Sequence, residues 1–201
     1  MKELLLKFEE LLTKLNPSLI ANMNPGLSIK SIQEKIELTD LQLPDEIIEL
    51  YKWKNGAIDV ANQITGPRQL FRRAILMNID KAIWEHNNFT KQEFGFYLNA
   101  YFPLFESLGE EFFVVDCDPG SKTFNMILSY EIKGVYLTGG AVPVFDNPVK
   151  MIETIIRCYE KNVYKFDSSA NRFNSNMSME RGIIIEMNPN ANKIRRSSLG
   201  S

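Results

Sequence analysis

The feature that most constrains the fold of this chain is a run of short apolar stretches, separated by glycine-containing turns, in its middle. Aromatic and β-branched residues are frequent in these stretches, and such residues favour β-strands. Strands that follow one another across short turns pair in the antiparallel direction. We therefore predict an antiparallel sheet. Its candidate strands cover residues 96–105, 111–117, 123–130 and 134–138, and the turns contain Gly109, Pro119-Gly120, Lys133-Gly134 and Gly139-Gly140.

Helices are predicted on both sides of this region. Apolar residues recur there at helical spacing, which gives each helix one side suited to packing against a sheet. A further strand is predicted at 71–77. The combination predicts an α+β fold in which helices pack against a central, mostly antiparallel β-sheet. The helical segments cover residues 2–15, about 28–36, 44–54, 79–89 and 148–162.

The composition limits the partners that the chain can bind. With 44% hydrophobic and 24% charged residues, it is typical of a globular protein. A net charge of −2 argues against nucleic acid as a partner, because nucleic-acid binders usually need a basic face. No apolar run approaches the roughly 18 residues that span a bilayer, and Glu3, Glu9 and Glu10 interrupt a signal-peptide pattern. We expect a cytoplasmic protein without a membrane partner, either a monomer or a weak dimer.

The C-terminal residues 166–201 are predicted to lie outside a single domain that covers 1–165, with its core at about 28–165. The Asn- and Ser-rich stretch at 165–178 is typical of a linker. The run Ile183-Ile184-Ile185 is β-branched, which predicts an edge or docking strand at 182–187. The final RRSSLGS is predicted to be a disordered tail, and its last three residues are typical of a cloning remnant.

Few residues in the sequence suit catalysis. His86 is the single histidine, which excludes multi-histidine metal sites, and we predict neither a metal nor a cofactor. Cys117 and Cys158 are predicted to be reduced, buried thiols, since disulfides are rare in the cytosol. The remaining catalytic alternative is a small hydrolase that pairs His86 with one of these cysteines. The run Asp116-x-Asp118-Pro119-Gly120 favours a turn, because the further ligands of a calcium loop do not follow it.

The segment 43–57, LPDEIIELYKWKNGA, has the pattern of one well-delimited helix. Pro44 suits the first helical turn, and Asn55-Gly56 suits the reversal of the chain after the last turn. By itself the pattern indicates only a surface helix, but it stands in an ordered series of helices and strands. That series contains Leu43, Pro44, Trp53, Asn55, Gly56, the tetrapeptide Phe102-Pro103-Leu104-Phe105, the stretch from Gly109 to Asp118, and the last helix up to Tyr164.

This ordered series resembles the SUKH superfamily, the Smi–Knr-type domain, over residues 28–165. The resemblance implies a non-catalytic binding module. Many bacterial members are immunity proteins, which neutralise a cognate toxin of polymorphic or contact-dependent systems. Fungal members are regulatory modules, so an intracellular regulatory or scaffolding domain unrelated to toxins is the alternative. Scaffold roles are then implied for Leu43, Pro44, Trp53, Asn55, Gly56, Pro103 and Gly109, with Trp53 packing its helix against the sheet.

Two sets of residues are candidates for the partner-binding surface. Carboxylates around one predicted hairpin would form an acidic patch that speeds encounter with a basic toxin, and a solvated sheet end is the alternative interpretation. Two tyrosines would act as anchors if no helix covers the second face of the sheet, with core packing as the alternative. The acidic set is Glu106, Glu110, Glu111, Asp116 and Asp118, and the aromatic set is Tyr97 and Tyr101.

Overall fold

The computed structural model describes residues 1–58, 68–72, 74–91, 99–107, 111–131, 140–170 and 172–199. In chain order its helices are α1 (Lys2–Leu15), α2 (Pro17–Ala21), α3 (Ile29–Ile36), α4 (Asp45–Trp53), α5 (Ile79–Lys91), α6 (Pro148–Glu160), α7 (Met177–Met187) and α8 (Pro189–Leu199). Its strands are β1 (Met23–Pro25), β2 (Lys54–Ala57), β3 (Ile75–Leu76), β4 (Tyr101–Ser107), β5 (Glu111–Asp116), β6 (Ile127–Glu131), β7 (Val142–Phe145), β8 (Tyr164–Asp167) and β9 (Arg172–Ser175).

The central sheet has the order β3-β4-β5-β6-β7, and every neighbouring pair in it is antiparallel. The predicted α+β class is therefore confirmed. The strand predicted at 71–77 shortens to β3, because Ala74 turns back and its amide donates to Phe71 at 2.7 Å. The strand predicted at 134–138 lies outside the described residues, and β7 follows it as a strand that the glycine pattern did not indicate.

Both faces of the central strands are covered. On one face Phe112 meets Phe89 of α5 with ring centroids 5.0 Å apart. On the other face Phe113 meets Phe71 at 5.1 Å, and Phe71 also contacts Phe105 and Phe145. Alternating side chains of β5 therefore enter two separate apolar layers. The hypothesis of an exposed sheet face is wrong for these strands.

The segment 43–57 combines a helix with a strand. Pro44 caps α4, which ends at Trp53, and Lys54 to Ala57 are extended and pair with β1. The helix had been predicted to include Lys54, but Lys54 is the first residue of β2. Gly56 has φ +71, and a Cβ there would lie 2.2 Å from the backbone nitrogen of Asn78. Glycine is required at this position by both its left-handed conformation and the close approach of the neighbouring backbone.

Residues 166–199 fold onto the rest of the chain, contrary to the prediction of a linker and a disordered tail. The Asn- and Ser-rich stretch forms the hairpin β8–β9, and the residues predicted as a strand at 182–187 belong to helix α7. Asn176 caps α7 by accepting from the amide of Met179. Asparagines that suggested a linker therefore act as helix caps, which local composition does not distinguish from loop residues.

Helix α8 is fixed to the sheet at its first turn. The carboxylate of Asp146, just after β7, accepts from the amide of Ala191 at 2.6 Å. Asn188 is buried between α7 and α8, where its side chain accepts from the amide of Asp146 at 3.0 Å and donates to Thr154 at 3.0 Å. These bonds satisfy polar groups at the start of α8, which a free tail would expose to water. From there α8 extends to Leu199.

Candidate protein-recognition surface

The carboxylates predicted to form one acidic patch lie at two ends of the sheet. Glu106 and Glu111 lie near the turn between β4 and β5, whereas Asp116 ends β5 opposite Tyr101. At about 3.4 Å per residue, the length of β5 separates Glu111 from Asp116 by about 17 Å. The prediction that these carboxylates form a single acidic patch around one hairpin is therefore wrong. Glu110, Gly109 and Tyr97 lie outside the described residues.

The described carboxylates near the β4–β5 turn already have partners. Glu106 is half-buried and forms an ion pair with Lys81 of α5 at 2.6 Å. Glu111 accepts from the hydroxyl of Ser129 on β6 at 2.8 Å. Because these bonds join neighbouring elements of the fold, the two carboxylates have a structural use independent of any partner.

Asp116 is buried, with 1% of its surface exposed, and it organises the turn after β5. One carboxylate oxygen accepts from the amide of Asp118 at 3.0 Å, and the other accepts from the hydroxyl of Thr123 at 2.6 Å. Asp118 is exposed and accepts from the amide of Gly120 at 2.8 Å. The turn interpretation of this motif is confirmed. Burial removes Asp116 from the candidate surface and leaves Asp118 as an isolated exposed acid.

Tyr101 is also inside the molecule, with 7% of its surface exposed. Burial raises the pKa of its phenol to about 12. Its carbonyl oxygen lies 2.9 Å from Nδ1 of His86, which joins β4 to α5. Tyr101 is therefore a core residue, and its prediction as an interface anchor is wrong because α5 covers this face of the sheet.

Both cysteine thiols are buried. Cys117 and Cys158 are both free and buried, as predicted. Burial raises the pKa of each thiol to about 12, so the thiolate that a nucleophile requires is scarce. Burial lowers the pKa of His86, and its Nδ1 faces the Tyr101 carbonyl. Among the described residues, no group of three His, Cys, Asp or Glu side chains could hold a metal ion.

The motif residues that carry the family resemblance lie in the scaffold. Leu43 is buried at the start of α4, and Pro103 lies within β4. The indole of Trp53 donates to Glu9 of α1 at 2.7 Å, and its ring lies 5.8 Å from that of Phe8. Trp53 thus packs α4 against α1, where packing against the sheet had been predicted. The side chain of Asn55 accepts from the amide of Ile79 at the start of α5.

An open groove of about 720 Å³ lies between α3 and α4, and we call it the α3–α4 groove. Its floor is apolar, with Ile32 and Leu43 fully buried and Ile48 half-buried. Its rim is polar and includes the carboxylates of Glu37 and Asp45. The lining residues are Ile32, Gln33, Ile36, Glu37, Thr39, Leu41, Gln42, Leu43, Asp45 and Ile48.

The segment that joins α3 to α4 is ordered by its own hydrogen bonds. The hydroxyl of Thr39 donates to the carbonyl of Ile36 at 2.8 Å and accepts from the amide of Leu41 at 3.2 Å. Glu37 and Asp45 are exposed, and neither forms an ion pair with any side chain that the structure describes. The groove therefore presents a preorganised apolar floor beside uncompensated negative charge.

Two large apolar side chains outside the groove lining are exposed, one just after α3 and one on α5. Leu38 is 70% exposed and borders a cleft that it shares with Asn87 of α5. Trp84 is 61% exposed and lies one helical turn from Asp80, whose carboxylate pairs with Lys35 of α3. Residues four and three positions apart share one side of a helix, so Trp84 lies on the side of α5 that borders α3. An exposed Trp is typical of interface anchors, and an exposed Leu adds apolar area that a partner can cover.

One sequence feature could have indicated this groove, but only the acidic residues around the predicted strands had been considered as candidates. Glu34, Glu37, Asp40, Asp45 and Glu46 bracket a short apolar segment within thirteen residues of the chain. Trp84 is exposed although its neighbour Ile83 is buried, because successive residues of a helix point in different directions.

Comparison of the chain with protein-family models and with curated proteins found no match in either. The resemblance to the SUKH superfamily therefore stays a prediction. In the part of the chain that the structure describes, no helix is both long enough and apolar enough to cross a membrane.

Proposed function

We propose that this chain is a cytoplasmic, non-catalytic immunity protein that binds and neutralises a cognate bacterial toxin of a polymorphic or contact-dependent system. The observation that carries the proposal is the α3–α4 groove, an apolar floor rimmed by unpaired carboxylates. The order of helices and strands that resembles the SUKH superfamily supports the same class of protein.

The groove suits a basic protein partner. Toxins that act on nucleic acids need a basic surface to approach phosphate, and such a surface is attracted by Glu37 and Asp45. The apolar floor then excludes water from the contact, as the centre of a protein interface does. A groove of about 720 Å³ has room for several side chains of the partner.

Leu38 and Trp84 would extend the contact beyond the groove. Both side chains are exposed, so they have apolar area to lose on binding. An ion pair of Lys35 with Asp80 at 2.5 Å joins α3, which lines the groove, to α5, which carries Trp84. Inhibition by this surface requires only that the bound protein occlude the toxin, and no bond is made or broken.

Co-expression with the toxin encoded by the neighbouring gene tests the proposal. We expect the chain to co-purify with the toxin and to restore growth of cells that produce it. A folded chain that neither co-purifies with the toxin nor restores growth would contradict an immunity role. Stable capture of a cytosolic partner by that same folded chain would favour the regulatory or scaffolding alternative.

A further inference from the structure

A second pocket, of about 500 Å³, lies where α7 and α8 meet the turn before β3, and we call it the arginine pocket. Three guanidinium groups line it, one from each of these elements. They belong to Arg72, Arg181 and Arg195, and the apolar part of the lining comes from Val144, Met177 and Ile184. Among the residues that the structure describes, no acidic side chain lines this pocket.

The three guanidinium groups are only partly neutralised within the described part of the chain. Arg72 pairs through Nε with the carboxylate of Glu180 at 3.1 Å. Arg195 donates through Nη2 to the neutral side chain of Asn192 at 3.0 Å. Arg181 is exposed and forms no ion pair with a described residue. Three cations thus share one neighbouring carboxylate, which leaves a net positive charge around the pocket.

The like charges are close enough to affect one another. Burial lowers the pKa of Arg195, and the charges of Arg181, Arg196 and Arg72 lower it further. Bringing cations together costs free energy that an anion between them would recover. The arginine side chains around the pocket therefore repel one another, and an anion between them would relieve this repulsion.

Arg72 is held in place by the fold. It lies in the tight turn between Phe71 and Ala74, with φ +47 in the left-handed region that few residues other than glycine adopt. Its partner Glu180 is fully buried and also accepts a hydrogen bond from the hydroxyl of Tyr164 at 2.6 Å. Glu180 binds Nε, and the two terminal nitrogens of Arg72 form no hydrogen bond to a described residue.

We propose that the arginine pocket binds a small organic phosphate, with its phosphate group on Arg72, Arg181 and Arg195 and its organic part against Val144, Met177 and Ile184. Guanidinium groups bind phosphate through parallel hydrogen bonds, and arginine is the side chain best suited to this geometry. Pockets that bind drug-sized ligands have about 300–1,000 Å³, so the few atoms of an inorganic phosphate leave most of a pocket of about 500 Å³ unfilled. The apolar lining gives the remaining volume to carbon atoms.

This inference is independent of the proposed toxin binding, since the arginine pocket and the α3–α4 groove share no lining residue. Either can fail without the other. It also assigns a use to α7 and α8, which lie outside the residues that resemble the SUKH superfamily.

Calorimetric titration of the full chain with adenosine 5′-monophosphate and with glucose 6-phosphate tests the proposal, with adenosine and inorganic phosphate as reference probes. We expect at least one phosphate ester to bind more tightly than inorganic phosphate, and adenosine not to bind. Arg181→Gln and Arg195→Gln should each weaken binding at least about tenfold, because each removes charged hydrogen bonds. Far-UV circular dichroism checks that both variants stay folded.

Lys193→Gln is the matched control, because Lys193 is an exposed cation on α8 that does not line the pocket. It should change the affinity less than about twofold. Absence of binding by both phosphate esters at millimolar concentration would overturn the proposal. An equal loss in Lys193→Gln and Arg195→Gln would also overturn it, because general attraction to a basic surface would then suffice.

Discussion

The α3–α4 groove and the arginine pocket carry charge of opposite sign, and the fold supports the two charges differently. The carboxylates of Glu37 and Asp45 are exposed and unpaired with the described residues, on elements whose packing does not involve them. The guanidinium of Arg72 instead rests on Glu180, which is buried beneath the pocket. A net charge of −2 for the chain averages over these two regions and reveals neither.

The groove rim can therefore accept substitutions without loss of structure, whereas the residues under the arginine pocket cannot. Substitutions on the groove rim alter the charge that a partner meets and leave the apolar floor intact. A substitution under the arginine pocket removes a link between α7, β8 and the turn before β3. An interface that must match a variable partner is better placed on the first kind of surface.

The largest expected effect is on stability, from Glu180→Ala. The variant leaves the Tyr164 hydroxyl without its carboxylate acceptor and Arg72 without its ion-pair partner. We expect a loss of about 3 kcal/mol in the free energy of unfolding, measured by urea denaturation. Glu37→Ala is the matched substitution on the groove rim, and it should change stability by less than about 0.5 kcal/mol.

Equal stability of Glu180→Ala and Glu37→Ala would contradict the claim that the fold depends on Glu180 and not on Glu37. Tyr164→Phe refines it, since this variant removes only the hydroxyl that donates to Glu180. Its loss should be about 1 kcal/mol, smaller than that of Glu180→Ala. A larger loss for Tyr164→Phe would place the structural role in the hydroxyl, which also interacts with the Cys158 thiol, and outside the ion pair of Glu180 with Arg72.

A smaller effect concerns pH, at the end of the groove where His86 borders the same cleft as Leu38 and Asp40. Burial lowers the pKa of His86 in the folded protein, while hydrogen bonding to the Tyr101 carbonyl and the charge of Asp40 act in the opposite direction. An unfolded histidine titrates near pH 6.5, so the unfolded chain binds more protons below that value. Stability contributed by neutral His86 is therefore present at pH 7 and is lost progressively as the pH falls below 6.5 toward the lower pKa of the folded state.

The free energy of unfolding measured at pH 7 and pH 5 checks this sign. We expect the wild-type chain to lose more stability between these values than His86→Gln does. Glu180 contributes in the opposite sense, because burial raises its pKa and its contribution is lost as the pH rises. That contribution is common to both proteins, so it cancels in the difference. Equal pH dependence of the two proteins would show that His86 is not the group responsible.

The local sequence pattern was sufficient to predict the bounds of strands that have a turn at each end. β5 was predicted within one residue, because Gly109 and the Asp118-Pro119-Gly120 turn limit it on both sides. Alternation along β5 also predicted two faces, but it could not reveal that both are covered. The burial of Tyr101 depends on where α5 packs, and that is decided by contacts distant in sequence.

Local pattern failed where tertiary contacts override propensity. Ile183 to Ile185 favour a strand by composition, yet Asn176 and Asn188 bound a helix there and Ile184 points into the core. The arginine pocket could not be predicted at all, because Arg72 and Arg181 meet only through the packing of α7. The α3–α4 groove depends in the same way on how two separately predicted helices approach each other.

The proposed toxin binding is tested most directly by the rate at which this chain associates with a purified candidate toxin when the groove charges are reversed. A double variant, Glu37→Lys with Asp45→Lys, should associate about fivefold more slowly than the wild-type chain at low salt, and the difference should shrink at high salt. Glu3→Lys, an exposed acid of α1 outside the groove, is the control and should stay within about twofold of wild type. Equal rates for all three proteins would contradict the assignment of the α3–α4 groove as the toxin-binding surface.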